Sequence, residues 1–373
     1  MDDFNFSRFQ EFLQKRGVEA ALLSSPATLT WLSGYAPPIQ TGPSPFEGGP
    51  ALGWWQTGEL TLILSDAEAP AAAACGVQTS DYLSYTIEAP IAGVERQAEA
   101  LAITLSSSSP LRGKVGVEYH FLNAPLASAL EKALPGVEWI PLDGWFSELR
   151  AVKSAAEIQK IKASLALCDR AQFFTAATAK AGMLEIELWG ALKADLEMAA
   201  GTRLPVLADL VAGVRTADIG GLPGNYRLQN GDAIIADIVP RLDGYWGDNA
   251  GTHFIGQPPA ALEKAYRDVR AALESGIAAI RPGMKACDLD GLLRAEITSR
   301  GYASYPHHSG HGIGTTFHEE PRLVPYNPMT LQAGMVVALE PGVYLPGVGG
   351  VRLEDVVLVT DIACKVLTQH LKS

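Results

Sequence analysis

Five residues in the C-terminal half of the chain, Asp237, Asp248, His311, Glu340 and Glu354, are of the types that bind divalent cations through oxygen and imidazole nitrogen. They lie in ADIVPRLDGYWGD (236–248), SGHGIG (309–314), VVALEPG (336–342) and VRLEDVVLV (351–359), segments whose composition suits a strand or its edge. Four carboxylates carry about −4 charges, which two divalent ions at about +4 offset with room for a bridging hydroxide. A single imidazole among hard oxygen ligands favours Mn, Co, Fe or Zn over a thiolate-selected metal. Such an ion pair supplies hydroxide at neutral pH and polarises a carbonyl, which is the chemistry of hydrolysis.

The surrounding pattern says what must hold these residues in place. Ser154-Ala-Ala-Glu157 reads as a capping box before the apolar positions Ile158, Ile161 and Leu165, so a long helix is expected to about Ala181. Further helices are expected over 184–200, 259–280 (ended by Arg281-Pro282-Gly283) and 287–300 (ended by Gly301). The stretches 232–239, 244–255, 334–345 and 350–360 read as β, with Asp243-Gly244 as a hairpin turn. Helices around a mostly antiparallel sheet make an α+β domain. Upstream, 5–17 reads as an amphipathic helix with Phe9, Phe12 and Leu13 on one face. GVEAALLSS follows as a buried strand, ALGWWQTGELTLILS as a hairpin about Thr57-Gly58, and Val115–Glu118 as another strand. Trp54, Trp55 and Tyr35 are expected in the core of this α/β domain, and Ser106–Pro110 in a turn. The expected domains are 1–148 and 149–373, since 373 residues exceed one hydrophobic core.

The net charge of −12 leaves no basic surplus to neutralise phosphates, which argues against a nucleic-acid or anionic-membrane partner. Cys75, Cys168, Cys287 and Cys364 are never spaced C-x-x-C, so free thiols in a reducing cytoplasm are expected. The acidic start MDDFNFSRF lacks the pattern of a signal peptide, and Pro26, Gly34, Pro37 and Pro38 interrupt the uncharged stretch Ala20–Phe46, which is not a membrane span. His318-Glu319-Glu320 is no zincin helix, because Arg322 stands where H-E-x-x-H needs its second histidine. Gly310–Gly314 lacks the Gly-Lys-Ser/Thr ending of a phosphate loop.

In order and spacing, these motifs resemble the M24 metallopeptidases of the pita-bread fold, in the prolidase and Xaa-Pro aminopeptidase branch, with its creatinase/prolidase-like N-terminal α/β domain. Asp237 and Asp248 are eleven residues apart with Asp243-Gly244-Tyr245 between them, and His318 follows His311 by seven. Glu340 is in Leu-Glu-Pro-Gly, Glu354 in Arg352-Leu-Glu-Asp, and His307 stands four before His311. LRAVKSAAEIQKIKAS resembles the family's interdomain signature. The resemblance implies two divalent ions (Mn, Co or Zn), with Asp237 on one, Asp248 and Glu354 bridging, and His311 and Glu340 completing the second. It implies Glu340 as general base, His318 as stabiliser of the tetrahedral intermediate, and His307 and Arg352 as positioning groups. All three of the latter would also bind substrate. The implied activity is hydrolysis of short peptides at Xaa-Pro bonds by a homodimer. His308 and His253 are expected as surface or packing residues.

The sequence also departs from that pattern. Gly220 stands at the position of the family's substrate-holding histidine, with Arg215, Asp218 and Tyr226 as polar neighbours to substitute for it. The usual Thr and Arg after the second aspartate are Ala250 and Gly251. These departures keep open a same-clan peptidase of different specificity (aminopeptidase P-like, general aminopeptidase or carboxylate-reading), a metal-free creatinase-like amidinohydrolase, and a catalytically silent binding protein.

Overall fold

The computed structural model describes residues 2–39, 48–107 and 109–370. Residues 40–46 of the long uncharged stretch and Ser108 of the expected serine turn therefore lie outside the described residues. The chain divides into two compact units, Met1–Leu149 and Arg150–Ser373.

The first unit is a mixed sheet flanked by helices. Its strands are β1 (Val18–Leu23), β2 (Leu52–Gln56), β3 (Glu59–Ser65), β4 (Gln78–Tyr82), β5 (Lys114–Val117) and β6 (Glu138–Pro141), in the order β4-β3-β2-β1-β5-β6. The β2–β3 hairpin turns at Thr57 and Gly58, both at positive φ, as a tight two-residue turn requires. Central strands are buried on both faces, so one core cluster holds Phe9, Trp31, Tyr35 and Trp55, and a second holds Trp54 with Leu22 and Ile63. The first helix, Asp3–Gln14, contributes Phe9 and Leu13, with Phe12 half-buried.

The second unit carries the candidate site on antiparallel strands. One sheet joins β7 (Val206–Ala212), β8 (Ala233–Leu242), β9 (Tyr245–Trp246) and β10 (Asn249–Phe254), with β8 between β7 and β10. A second runs β12-β11-β13-β16-β17, formed by β11 (Gly310–Gly312), β12 (Glu319–Leu323), β13 (Val336–Leu339), β16 (Asp355–Val359) and β17 (Cys364–Val366). β14 (Gly342–Leu345) and β15 (Gly349–Arg352) pair as a hairpin. The capping box forms: Ser154 Oγ accepts from Glu157 N at 3.1 Å and Glu157 Oε2 accepts from Ser154 N at 2.9 Å.

The capped helix is shorter than its pattern suggests, Ala155–Thr178, because Ala179 turns extended. It docks closely on the first sheet of this unit. Ser164 Oγ donates to Tyr245 O at 2.9 Å, and a Cβ at Gly247 would lie 2.7 Å from the Ser164 carbonyl carbon. The helices Glu185–Ala200, Ala260–Ala279 and Ala286–Ser299 complete the layer. Among the described residues no helix is long and apolar enough to cross a membrane. The four cysteines are free thiols.

Candidate metal centre

Strand alternation brings the five candidate ligands together. Asp237 on β8 faces Ala250 on β10, so Asp248, two residues before Ala250, is its diagonal neighbour on the same face. In the second sheet His311 pairs with Ala338 and Ala338 with Val356. Glu340 and Glu354 each lie two residues from that row, continuing the register opposite one another on the His311 face. Two hydrogen bonds then tie the sheets together: Glu354 N donates to Ala250 O at 2.9 Å, and Ala250 N to Glu354 Oε2 at 2.8 Å.

The resulting atoms form two clusters that share Asp248. Ligand atoms of Asp237, Asp248 and Glu354 lie within 4.8 Å of one another, and so do those of Asp248, His311 and His318. His311 Nε2 is 3.4 Å from Asp248 Oδ2 and 3.7 Å from Glu340 Oε1, while its Nδ1 lies 3.0 Å from Gly312 O, leaving Nε2 to face the carboxylates. Asp237 Oδ1 and Glu354 Oε1 are buried with no hydrogen-bond donor among the described residues, and Glu340 Oε1 faces the His308 ring nitrogen. Buried carboxylate oxygens without donors are costly, and the chemistry that satisfies several converging at once is a cation. The residues present therefore fit a pair of divalent ions.

The electrostatics agree. Burial, reinforced by Asp237 and Glu340, pushes the Asp248 carboxyl well above the ordinary range. Burial followed by Asp248 and Asp237 does the same to Glu354. Burial also opposes ionisation of Glu340, but His308, His311 and His307 outweigh it and hold this carboxyl at about 2. Burial, with His311 and His308 adding, lowers His318 to about 3 despite its exposed edge.

The remaining sequence-derived candidates surround these clusters. Arg352 Nη2 donates to Asp237 Oδ2 at 2.6 Å, and its other nitrogen reaches Tyr344 OH at 3.3 Å. His307 Nε2 lies 2.8 Å from Tyr344 OH, and its ring stacks on Tyr305 at 4.9 Å. Arg294 sets this loop, donating to Tyr305 O and His307 O at 2.7 Å each while pairing with Asp290. The His318 ring centre is 4.2 Å from that of His311.

His308 corrects the expectation of a surface or packing role: its Nδ1 lies 2.9 Å from Glu340 Oε1, and its ring contacts those of His311 and His318. His253 does pack, lying 2.9 Å from Gln172, with burial lowering it to about 4.

Two family profiles match the chain: metallopeptidase family M24 over residues 159–361 and the creatinase/prolidase N-terminal domain over residues 6–152. The chain belongs to metallopeptidase family M24. Within it, the chain falls in the prolidase and Xaa-Pro aminopeptidase branch, and residues 159–361 form the pita-bread catalytic region. It is 33% identical over 232 residues to an uncharacterized peptidase of Staphylococcus aureus, covering 62% of this chain and 66% of that protein, just under two thirds of its length. It is 33% identical over 234 residues to the Xaa-Pro dipeptidase of Pyrococcus furiosus, covering 62% of this chain and 67% of that one. The solved Xaa-Pro dipeptidase from Bacillus anthracis superposes with a TM-score of 0.83 at 26% identity, covering 99% of this chain and 98% of that chain.

Against the M24 pattern, the two glycine departures are filled from elsewhere in the chain. A Cβ at Gly251 would meet Gln172 Oε1 at 2.4 Å. That buried glutamine, on the helix Ala155–Thr178, donates to Ala236 O and Asn249 O at 3.0 Å each and so bridges β8 and β10. A Cβ at Gly220 would meet Asp209 Oδ2 at 1.9 Å. Of the expected substitutes for the missing histidine, Arg215 is engaged with Glu185 and Tyr226 with Asp232. The nearest carboxylate is Asp209, which the sequence reading did not single out.

Proposed function

We propose that this M24 chain hydrolyses short peptides at Xaa-Pro bonds, with Asp237, Asp248, His311, Glu340 and Glu354 holding two divalent ions. The observation that carries the reading is the convergence, from separate strands, of these five side chains with two donorless buried oxygens among them. When bound, such ions supply an activated water and polarise the scissile carbonyl. Asp248 lies in both clusters and would be the ligand common to the two ions, with Glu354 beside it in the first.

Glu340 is held ionised, as an acceptor of the water proton must be, and His308 lies within reach of its Oε1. His318, held neutral and open to solvent on one edge, can donate a hydrogen bond to the oxygen of a tetrahedral intermediate. Arg352 and His307, joined through Tyr344, orient Asp237 and the substrate-facing wall. The Xaa-Pro preference and a homodimeric state rest on the resemblance, and the preference also on the relatives so named.

The test is hydrolysis of Xaa-Pro dipeptides, an Xaa-Pro tripeptide and matched non-proline peptides with Mn, Co or Zn, using Glu340→Gln as control. Metal-dependent cleavage confined to Xaa-Pro bonds and lost in the variant is the expected result. Cleavage of non-proline peptides alone would replace the specificity with that of a general aminopeptidase. No cleavage at full metal occupancy would leave a binding protein.

A further inference from the structure

β7 places Asp209 directly opposite Asp237, so the two carboxylates share one face. The Asp209 side chain is 40% exposed, against 18% for Asp237 and 3% for Arg352. Asp209 is therefore the member of this wall that solvent and substrate reach. Arg352 Nη2 lies 3.7 Å from Asp209 Oδ2 but bonds Asp237 at 2.6 Å, so one guanidinium serves two carboxylates and favours the inner one.

The turn across from Asp209 is shaped to leave it room. Gly220 N donates to Asp218 O at 2.9 Å around Ile219, whose φ of 74° and ψ of −56° make a positive-φ γ-turn, a strained place for a β-branched residue. Arg352 also donates to Ile219 O, so the guanidinium that serves the two carboxylates braces the turn as well. A Cβ at Gly220 would approach Asp209 Oδ2 to 1.9 Å and Cγ to 2.6 Å, so a side chain there would push the carboxylate aside. In this wall the space beside Gly220 is taken by the Asp209 carboxylate.

We propose that Asp209 is a specificity-determining residue that binds an ammonium group of the substrate, either the α-amino group or a lysine side chain. This rests on the peptidase reading above. A half-exposed carboxylate that shares one guanidinium with a closer rival is left to accept from a donor arriving with the substrate, and an ammonium beside it would offset the burial and the Asp237 charge that raise its carboxyl. A purely structural Asp209 would instead affect cationic and neutral substrates alike.

The experiment compares kcat and KM of metal-loaded wild type, Asp209→Asn and Gly220→Ala on lysyl-proline, norleucyl-proline, glutamyl-proline and their N-acetylated forms. Wild type is expected to favour the cationic member of one pair, lysyl- over norleucyl-proline or free over N-acetylated peptide, by about tenfold in kcat/KM, expressed in KM, the scale of a hydrogen bond to a charged group. That ratio should fall to about one in Asp209→Asn. Gly220→Ala should reproduce the fall by displacing the carboxylate, with its melting temperature checking the fold. If only N-acetylation removes the Asp209-dependent preference, the ammonium is the α-amino group; if only removal of the lysine charge does, it is the side chain.

If Asp209→Asn changes neither the lysyl-to-norleucyl ratio nor the free-to-acetylated ratio, the proposal is overturned. If wild type with bound metal cleaves no peptide, the peptidase reading fails, and Asp209 is judged by calorimetry with lysinamide. Weaker binding in Asp209→Asn then supports the site, and equal binding overturns it.

Discussion

Replacing Lys153 by Met would strand a buried carboxylate beside the His318 loop, and the cost follows from Glu319. Lys153 Nζ donates to Glu319 Oε2 at 2.8 Å, with the two side chains only 1% and 2% exposed. Arg150 Nε lies 3.4 Å from Glu319 Oε1, and Thr315 Oγ1 and Thr316 N each donate to it at 3.1 Å. Burial by itself would raise this carboxyl, but Lys153 and then Arg150 overcome it and hold it at about 2, against an ordinary 4.5. A shift of that size is worth ~3 kcal/mol. Because the folded-state value is depressed, the contribution is complete above about pH 4.5 and is lost as pH falls toward about 2, roughly 1 kcal/mol of it by pH 4 and 2 kcal/mol by pH 3. Lys153→Met should therefore destabilise by about 3 kcal/mol at pH 7, the usual scale for breaking one side of a buried pair. The assay is urea unfolding of wild type and variant at pH 7, 4 and 3. The deficit should shrink with acid, and adding Glu319→Gln to Lys153→Met should recover much of it. A deficit below about 0.5 kcal/mol at pH 7, or one that acid leaves unchanged, would refute the reasoning.

Three further outcomes are expected. Chelator-treated protein should gain stability on adding Mn, Co or Zn, by about 2.7 kcal/mol at a hundredfold excess over Kd, and a melting temperature blind to all three would count against the centre. His308→Ala, which removes the imidazole 2.9 Å from Glu340, should weaken metal binding about tenfold in a direct titration; unchanged affinity would return His308 to a packing role. Gly247→Ala should lower stability by about 1–3 kcal/mol through overpacking, because the new Cβ would lie 2.7 Å from the Ser164 backbone, and a melting temperature equal to wild type would show that the helix yields.

The candidate ligands were legible because their chemistry is local. Each carries a residue type, a short motif and a strand period that survive in one dimension. The capping box at Ser154 and the Asp243-Gly244 turn were legible for the same reason, and both φ values at the turn are positive as that dipeptide demands. Strands β4 and β6 were hidden because they lie at the two edges of their sheet, and QTSDY and EWIP lack a clean apolar alternation. The helix from Ala155 was read three residues too long, because Ala179, Lys180 and Ala181 are all good helix formers and the first stop signal is Gly182 at a φ of 91°. His308 was missed because alternation along a strand would turn it away from His307. The bend at 306–307 precedes β11, so alternation does not apply there. Asp209 was missed because its meaning depends on pairing with Asp237, a contact made by register and not by motif.

The two glycine departures separate along one physical line. Gln172 fills the space at Gly251 as a buried side chain, donating to two backbone carbonyls of β8 and β10 and paired with His253. Every polar atom of its amide is engaged within the protein, so this exchange preserves the sheet and offers nothing to a ligand. Asp209 fills the space at Gly220 with a carboxylate that is half exposed, shares the Arg352 guanidinium, and faces the same side of the sheet as Asp237. A group added to a core is selected by packing, whereas a charge left facing an open site is selected by what arrives there. Of the two sites, the one at Gly220 is therefore where a change should move substrate preference, while a change at Gln172 beside Gly251 should be visible only as stability.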